Sequence, residues 1–221
     1  MSINFKKILV IGAHPDDETL GLGATISKYT KNKVEVNCLI FADGESARKK
    51  SSRIQKRKEQ AEKASKILGI KSIDFLDYED QKLDIIPVVE LSQKIELKIK
   101  KFKPETIFTH FGGDLNQDHR KLFEATCIAA RSLPNSTIRN IICYETPSST
   151  EWGLESFRPN LFVDVSKFMK SKLRAFKKYS NEIEKYPHPR SEKAIINRAN
   201  YWGSISGMRQ SEAFMIYRIV I

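Results

Sequence analysis

The sequence of 221 residues has no run of 18 consecutive apolar residues, so no segment reads as a bilayer-spanning helix. Cysteine is scarce: Cys38, Cys127 and Cys143 are an odd number with no C-x-x-C pair. This argues against a disulfide framework or a zinc-thiolate cluster and fits a reducing cytoplasm. Internal repeats, low-complexity tracts and linkers rich in proline, glycine or serine are missing too, which leaves a single domain over 1–221. There is no G-x-G-x-x-G after the first apolar run, where the chain reads Gly12-Ala13-His14-Pro15-Asp16-Asp17. Two carboxylates there would repel a pyrophosphate, so dinucleotide binding is excluded. That run passes straight into charged residues with no small-residue cleavage site, and so reads as a strand and not a signal peptide.

What is present is an ordinary globular composition, 40% hydrophobic and 29% charged, with enough chain to bury a proper core. The charge balance is basic: 38 Lys and Arg against 27 Asp and Glu, a net +11. The excess gathers on two stretches, Lys49, Lys50, Arg53, Lys56, Arg57 and Lys63, then Lys167, Lys170, Lys172, Arg174, Lys177 and Lys178. Such a balance favours anionic partners. No recognition motif for nucleic acid accompanies it, so the expectation is a solvated basic surface, or a rim that steers an anionic substrate, and no nucleic acid.

Short apolar runs alternate with amphipathic stretches. Strands are expected at Lys7–Gly12, Val34–Phe41, Ile73–Leu76, Thr106–Thr109 and Ile138–Tyr144. Helices are expected at Thr19–Thr30, Ser46–Leu68 (closed by Gly69), Pro87–Phe102 and Asp118–Ser132. This succession predicts an α/β fold, a mostly parallel Rossmann-like sheet with helices on both faces. The last third is an irregular C-terminal extension: a strand at Leu161–Val165, a lysine-rich helix at Ser166–Tyr186, a helix at Ser191–Trp202 and a strand at Phe214–Ile219.

In such folds ligands bind outside the carboxyl ends of the strands. Two polar clusters fall there: Ala13-His14-Pro15-Asp16-Asp17-Glu18 and Asp114-Leu115-Asn116-Gln117-Asp118-His119-Arg120. His14 and Asp17 are three apart across a proline-restrained turn and can reach one ion, with His119 as a third ligand. Two imidazoles and one carboxylate leave an open position, the pattern of a catalytic rather than a structural zinc site. Asp16, beside a ligand, is placed as general base. The bland alternatives are that the acidic residues favour the positive end of the next helix and that His14 is a satisfied histidine.

The stretch Ile8 to Ala24, strand-AHPDDE-T-L-G-x-G-A, resembles the signature of the PIG-L/LmbE family of zinc-dependent N-acetylsugar deacetylases. Arg57–Gly69, Thr109–Arg120, Tyr186–Ser191 and Ser211–Arg218 agree with it, nearly end to end. The resemblance implies a Rossmann-like fold holding one Zn2+ per chain through His14, Asp17 and His119, with another divalent metal as the alternative. It also implies Asp16 as base and hydrolysis of an acetamido group on an amino sugar, with release of acetate. Many members carry H-P-D-H at the second motif; here Asn116-Gln117-Asp118-His119 lacks the first histidine. Asn116 can donate a neutral hydrogen bond in its place but cannot act as an acid. His188 is the candidate to share the oxyanion and protonate the amine, from the tail or from a neighbouring subunit of a homo-oligomer. Asp118 would orient His188 or stand behind His119. Arg57, with Arg53 and Lys56 as rivals, resembles a substrate-binding arginine, and Asp80 a residue that binds sugar hydroxyls. His110 is expected either behind the site or in packing, Asp43-Gly44-Glu45 in a turn, and the loop Tyr144–Trp152 as a cover with an aromatic residue for a sugar ring. The expected substrate is an N-acetylated amino sugar, with nucleotide- or lipid-linked sugars compatible with the basic surface. The alternatives are another N-acylated small molecule, such as a glycosylated thiol precursor, and a basic nucleic-acid-binding protein on the same fold.

Overall fold

The computed structural model describes residues 5–48, 51–134 and 136–220. Among them the chain runs β1 (Lys7–Gly12), α1 (Asp17–Lys31), β2 (Glu35–Ala42), α2 (Ile54–Leu68), β3 (Ser72–Tyr78), α3 (Val88–Phe102), β4 (Thr106–His110), α4 (Gln117–Ala129), β5 (Asn140–Tyr144), β6 (Leu161–Asp164), α5 (Met169–Phe176), α6 (Glu192–Ser206) and β7 (Ser211–Arg218). The strands form one seven-stranded sheet in the order β3-β2-β1-β4-β5-β7-β6. The five from β3 to β5 are parallel, as the alternation of strand and helix predicts, and β7 lies antiparallel between β5 and β6.

The middle strands are near-continuous apolar runs because both faces of the sheet are covered; every residue of β4 and β5 is buried. One apolar cluster joins α1, α2, α5 and α6 to one face through Leu20, Ala61, Phe176 and Ile195. A second joins α3 and α4 to the other through Leu91, Ile95 and Leu122. The order reverses between β1 and β4: from β1 the chain crosses through α1 to β2, whereas β4 is reached through α3 on the opposite face. The crevice outside the carboxyl ends of these two neighbours is where this class of sheet binds ligands.

Two expected helices are shorter in the structure. Instead of one helix over Ser46–Leu68, 3-10 turns at Ser46–Arg48 and Ser51–Arg53 precede α2. The Ser46 hydroxyl is taken by the Asp80 N–H (2.8 Å), a side-chain partnership that competes with helix. Lys49 and Lys50 of the expected basic cluster lie outside the described residues. The lysine-rich helix expected over Ser166–Tyr186 is α5 alone. Ser166 is held in a turn by Asp164, and beyond Phe176 the chain leaves the helix to bring Tyr179 and Glu182 inward, so tertiary contact overrides local propensity.

Helix α1 breaks at Leu22 (φ −144°, ψ 23°). The groups freed there meet a buried ion pair. Lys172 Nζ donates to the Leu20 carbonyl (2.7 Å), Glu212 accepts from the Ala24 and Thr25 N–H groups (3.2 and 2.6 Å), and the two charges are 2.6 Å apart. Gly21 belongs to the same close approach: a Cβ there would lie 2.3 Å from the Tyr144 ring. No helix among the described residues is long and apolar enough to cross a membrane, and Cys38, Cys127 and Cys143 are all free.

Candidate active site

The turn after β1 is fixed by its backbone. Asp17 Oδ2 accepts the His14 N–H (2.7 Å), and Ala42 N–H donates to the Ala13 carbonyl (2.7 Å). Asp16, the residue before α1, has φ 130°, a region that costs a non-glycine residue about 1–3 kcal/mol. Its N–H donates to Glu18 Oε2 (3.1 Å), and Glu18 Oε1 takes the hydroxyls of Thr19 and Tyr179 (2.6 Å each), so the strained turn is braced on three sides.

From β4, the connection after it and the start of α4 come His110, Asp114 and His119, all buried. The ligand atoms of His14, Asp17 and His119 lie within 4.8 Å of one another. Asp17 Oδ2 is 3.5 Å from His14 Nδ1 and 3.6 Å from His119 Nε2. Those separations approach the ~3.3 Å between two donors at about 2.0–2.1 Å on a tetrahedral ion. Asp17 Oδ1 and His119 Nε2 are buried without a hydrogen-bond partner. Carboxylates also outnumber local cations: Asp80 and Asp118 stand 3.0 and 3.1 Å from His14 Nε2, and Asp114 stands 3.1 Å from His119 Nδ1. Unsatisfied N and O donors in a buried, acid-rich cluster fit a divalent cation.

Burial works against the charge on Asp17, but the neighbouring His119 outweighs it and holds the carboxyl well below its usual value. Burial likewise opposes charge on His14, and Asp118, Asp17 and Asp80 more than offset it. His110 goes the other way. Burial and the neighbouring His119 pull it down to about 4, so it is neutral, with the Ala13 N–H donating to its Nε2 (2.9 Å). Asp16 is pushed up to about 7 by burial, against Arg57 and Arg190.

Several expected roles shift to other residues. Asp118 stands behind His14, not His119: its Oδ2 reaches His14, and its two oxygens accept the Gln81 and Leu83 N–H groups (2.9 and 3.0 Å). The carboxylate beside His119 is Asp114, held by Ser149 and Thr150. Asn116 caps α4, accepting the Asp118 N–H at 2.9 Å, and also lines the cleft. Of the three candidate cations, Arg53 and Lys56 are exposed, whereas Arg57 is buried against Asp16 Oδ2 (3.0 Å). Arg57 is thus a partner of the proposed base and not a wall of the cleft. His188 does not supply the tail's contact with Asp16: its Nδ1 accepts the Arg190 N–H (3.1 Å) within its own turn, and Arg190 reaches Asp16 Oδ2 at 3.4 Å. Asp80 touches His14, and Asp43 closes its turn by accepting the Glu45 and Ser46 N–H groups. Trp152 is exposed; the cover loop presents Ser148 and Ser149 to the cleft instead.

That cleft, about 500 Å³, is lined by Gln81, Asn116, His119, Ser148, Ser149 and Arg190 among others. The family model described as GlcNAc-PI de-N-acetylase, PIG-L, matches residues 9–130, which span β1 through α4 and both halves of the cluster. The chain belongs to the PIG-L family. As a PIG-L protein it is similar to diacetylchitobiose deacetylase of Thermococcus kodakarensis, 28% identical over 94% of this chain and 81% of the relative. It is 31% identical to an uncharacterized deacetylase, YaiS, of Escherichia coli, over 80% of this chain and 91% of that one. Among solved structures, N,N'-diacetylchitobiose deacetylase from Pyrococcus horikoshii superposes with a TM-score of 0.80 at 25% identity, covering 97% of this chain and 85% of the other. The family is one of deacetylases, and this chain shares its fold and carries a His/Asp group suited to a metal.

Proposed function

We propose that this PIG-L protein is a zinc-dependent hydrolase that removes the acetyl group from an N-acetylated amino sugar, with release of acetate. His14, Asp17 and His119 would hold the ion. When bound, such an ion lowers the pKa of a water to about 7 and polarises a carbonyl oxygen. The protein's own part centres on Asp16. Its Oδ2 is occupied by Arg57 and Arg190, while Oδ1 is buried without a partner, free to take a proton from the attacking water. Asp16 would then return that proton to the leaving amine, which needs no histidine from the tail. Asn116, whose amide oxygen is committed to the helix cap, offers its amide nitrogen as a neutral donor toward the cleft. Asp118 and Asp114 orient the imidazoles of His14 and His119. Asp80, beside His14, would bind sugar hydroxyls.

The observation that carries this reading is the unpartnered Asp16 Oδ1 beside three converging ligand side chains. The two diacetylchitobiose deacetylases among the relatives support a sugar substrate. Asp16→Asn tests it. Metal content should stay near that of the wild type while acetate release from N-acetylglucosamine derivatives falls by on the order of 10²–10⁴. Unchanged turnover would refute the role of Asp16.

A further inference from the structure

Arg57 and Arg190 touch two buried carboxylates, Asp16 and Glu182. Glu182 comes from the connection between α5 and α6 and is 3% exposed. Arg57 places Nη2 3.0 Å from Asp16 Oδ2 and Nη1 2.9 Å from Glu182 Oε1. Arg190 Nη1 lies 3.4 Å from Asp16 Oδ2 and also contacts Glu182 Oε2, while its Nε donates to Ser148 Oγ at 2.7 Å. Arg48, half-exposed, grips the same carboxylate from outside with both terminal nitrogens, at 2.8 and 3.3 Å. Burial works against ionisation of Glu182, but these guanidiniums outweigh it and hold its pKa below the ordinary value.

We infer that Glu182 is a positioning residue: it takes Nη1 of Arg57 and shares Nη1 of Arg190, so that both arginines meet Asp16 through Oδ2 alone and Oδ1 stays open for proton transfer. A guanidinium and a carboxylate left to themselves prefer a two-pronged pairing that occupies both oxygens. Without Glu182, Asp16 is the remaining carboxylate within reach of both arginines, and a two-pronged grip would close the oxygen that the reaction uses. The neighbouring tail residue Tyr179 complements this. Its hydroxyl binds Glu18, which holds the Asp16 N–H, and its ring lies 5.3 Å from the Arg57 guanidinium. The tail thereby braces the backbone of Asp16 through one residue and its carboxylate through another. The role rests on the function proposed for Asp16, although the division of Arg57 between the two carboxylates can be measured without turnover.

Glu182→Gln keeps the side chain's volume and removes its charge. The expected result is a loss of about tenfold or more in kcat with KM within about twofold and metal content retained, because the altered group does not bind substrate. In an Arg190→Gln background the same substitution should cost clearly less, since one of the competing forks is already gone. The side-chain ¹⁵N–¹H NMR signals of Arg57, resolved in a guanidinium held at two points, should shift or merge in Glu182→Gln. Should that variant fail to fold, Arg48→Gln loosens the outer grip at a half-exposed position, with a smaller kcat loss and the same direction of change at Arg57. A kcat within twofold of wild type, fully additive losses, or unaltered Arg57 signals would overturn the inference. If the wild-type chain releases no acetate from any amino sugar, the proposed function fails, and the NMR measurement still decides whether Glu182 sets the geometry of Arg57.

Discussion

The two walls of the cleft are built on different principles. The wall from β1 and β4 owes its geometry to local order: sheet register puts two strand ends side by side, and short turns in which nearby carboxylates accept main-chain N–H groups aim His14, Asp17 and His119 at one point. The wall from the C-terminal third has no regular element at the site. Residues between α5 and α6 reach it through Tyr179, Glu182 and Arg190, and what fixes them is charge and hydroxyl pairing. The first wall fits a cation, and the second supplies one of its own, Arg190. Asp16 stands where they meet, strained by the backbone of one and held by Arg190 of the other together with Arg57 of α2.

If that contrast is correct, His119→Ala should have the largest effect. Metal affinity should fall by more than the roughly 10–100-fold expected for a residue behind a ligand, and metal analysis of the purified variant should find little bound. Retained metal would mean that the first wall does not hold the ion. Lys172→Met asks how strongly the C-terminal third holds α1. Leaving Glu212 buried without its partner should lower stability by about 3–5 kcal/mol, read from the denaturant midpoint. A loss under 1 kcal/mol would show that the break in α1 is stable without that ion pair. Asp114→Asn should leave the fold intact and weaken metal binding about 10–100-fold in a chelator competition, since it stands beside His119 and is not one of the three proposed ligands. Asn116→Ala is the smallest change: loss of the α4 cap costs about 1 kcal/mol in thermal unfolding. A drop in kcat well beyond that cost would mark its amide nitrogen as a donor to the reacting group.

The sequence makes the first wall readable and the second largely opaque, and the reason is range. Ala13 to Glu18 follows an apolar strand directly, and Asp118-His119 opens a helix after another, so the parallel topology alone brings them together. Arg57 differs from Lys56 only in which side of α2 turns inward, and from Arg53 in lying past the turn that precedes α2; its burial depends on partners such as Glu182, more than a hundred residues away. In Pro187-His188-Pro189-Arg190, chemistry favours the histidine as the acid, but the turn directs the arginine to Asp16 and keeps the imidazole for its own backbone. Asp114 was visible in its motif, and only the loop carrying Ser149 and Thr150 reveals that it sits behind His119. Glu182 gave no local signal at all; its meaning lies in three arginines drawn from α2, from the turn before it and from the tail.

Strand β6 has β7 as its neighbour in the sheet, and β7 reaches it only after residues 165–210 have been laid down. Glu182 and Arg190 both ride in that excursion. Pairing of β7 between β5 and β6 closes the excursion into a loop, at the entropic cost that long-range contacts carry. His14, Asp17 and His119 all lie outside that excursion, so the group suited to a cation can come together before Glu182 and Arg190 dock against Asp16.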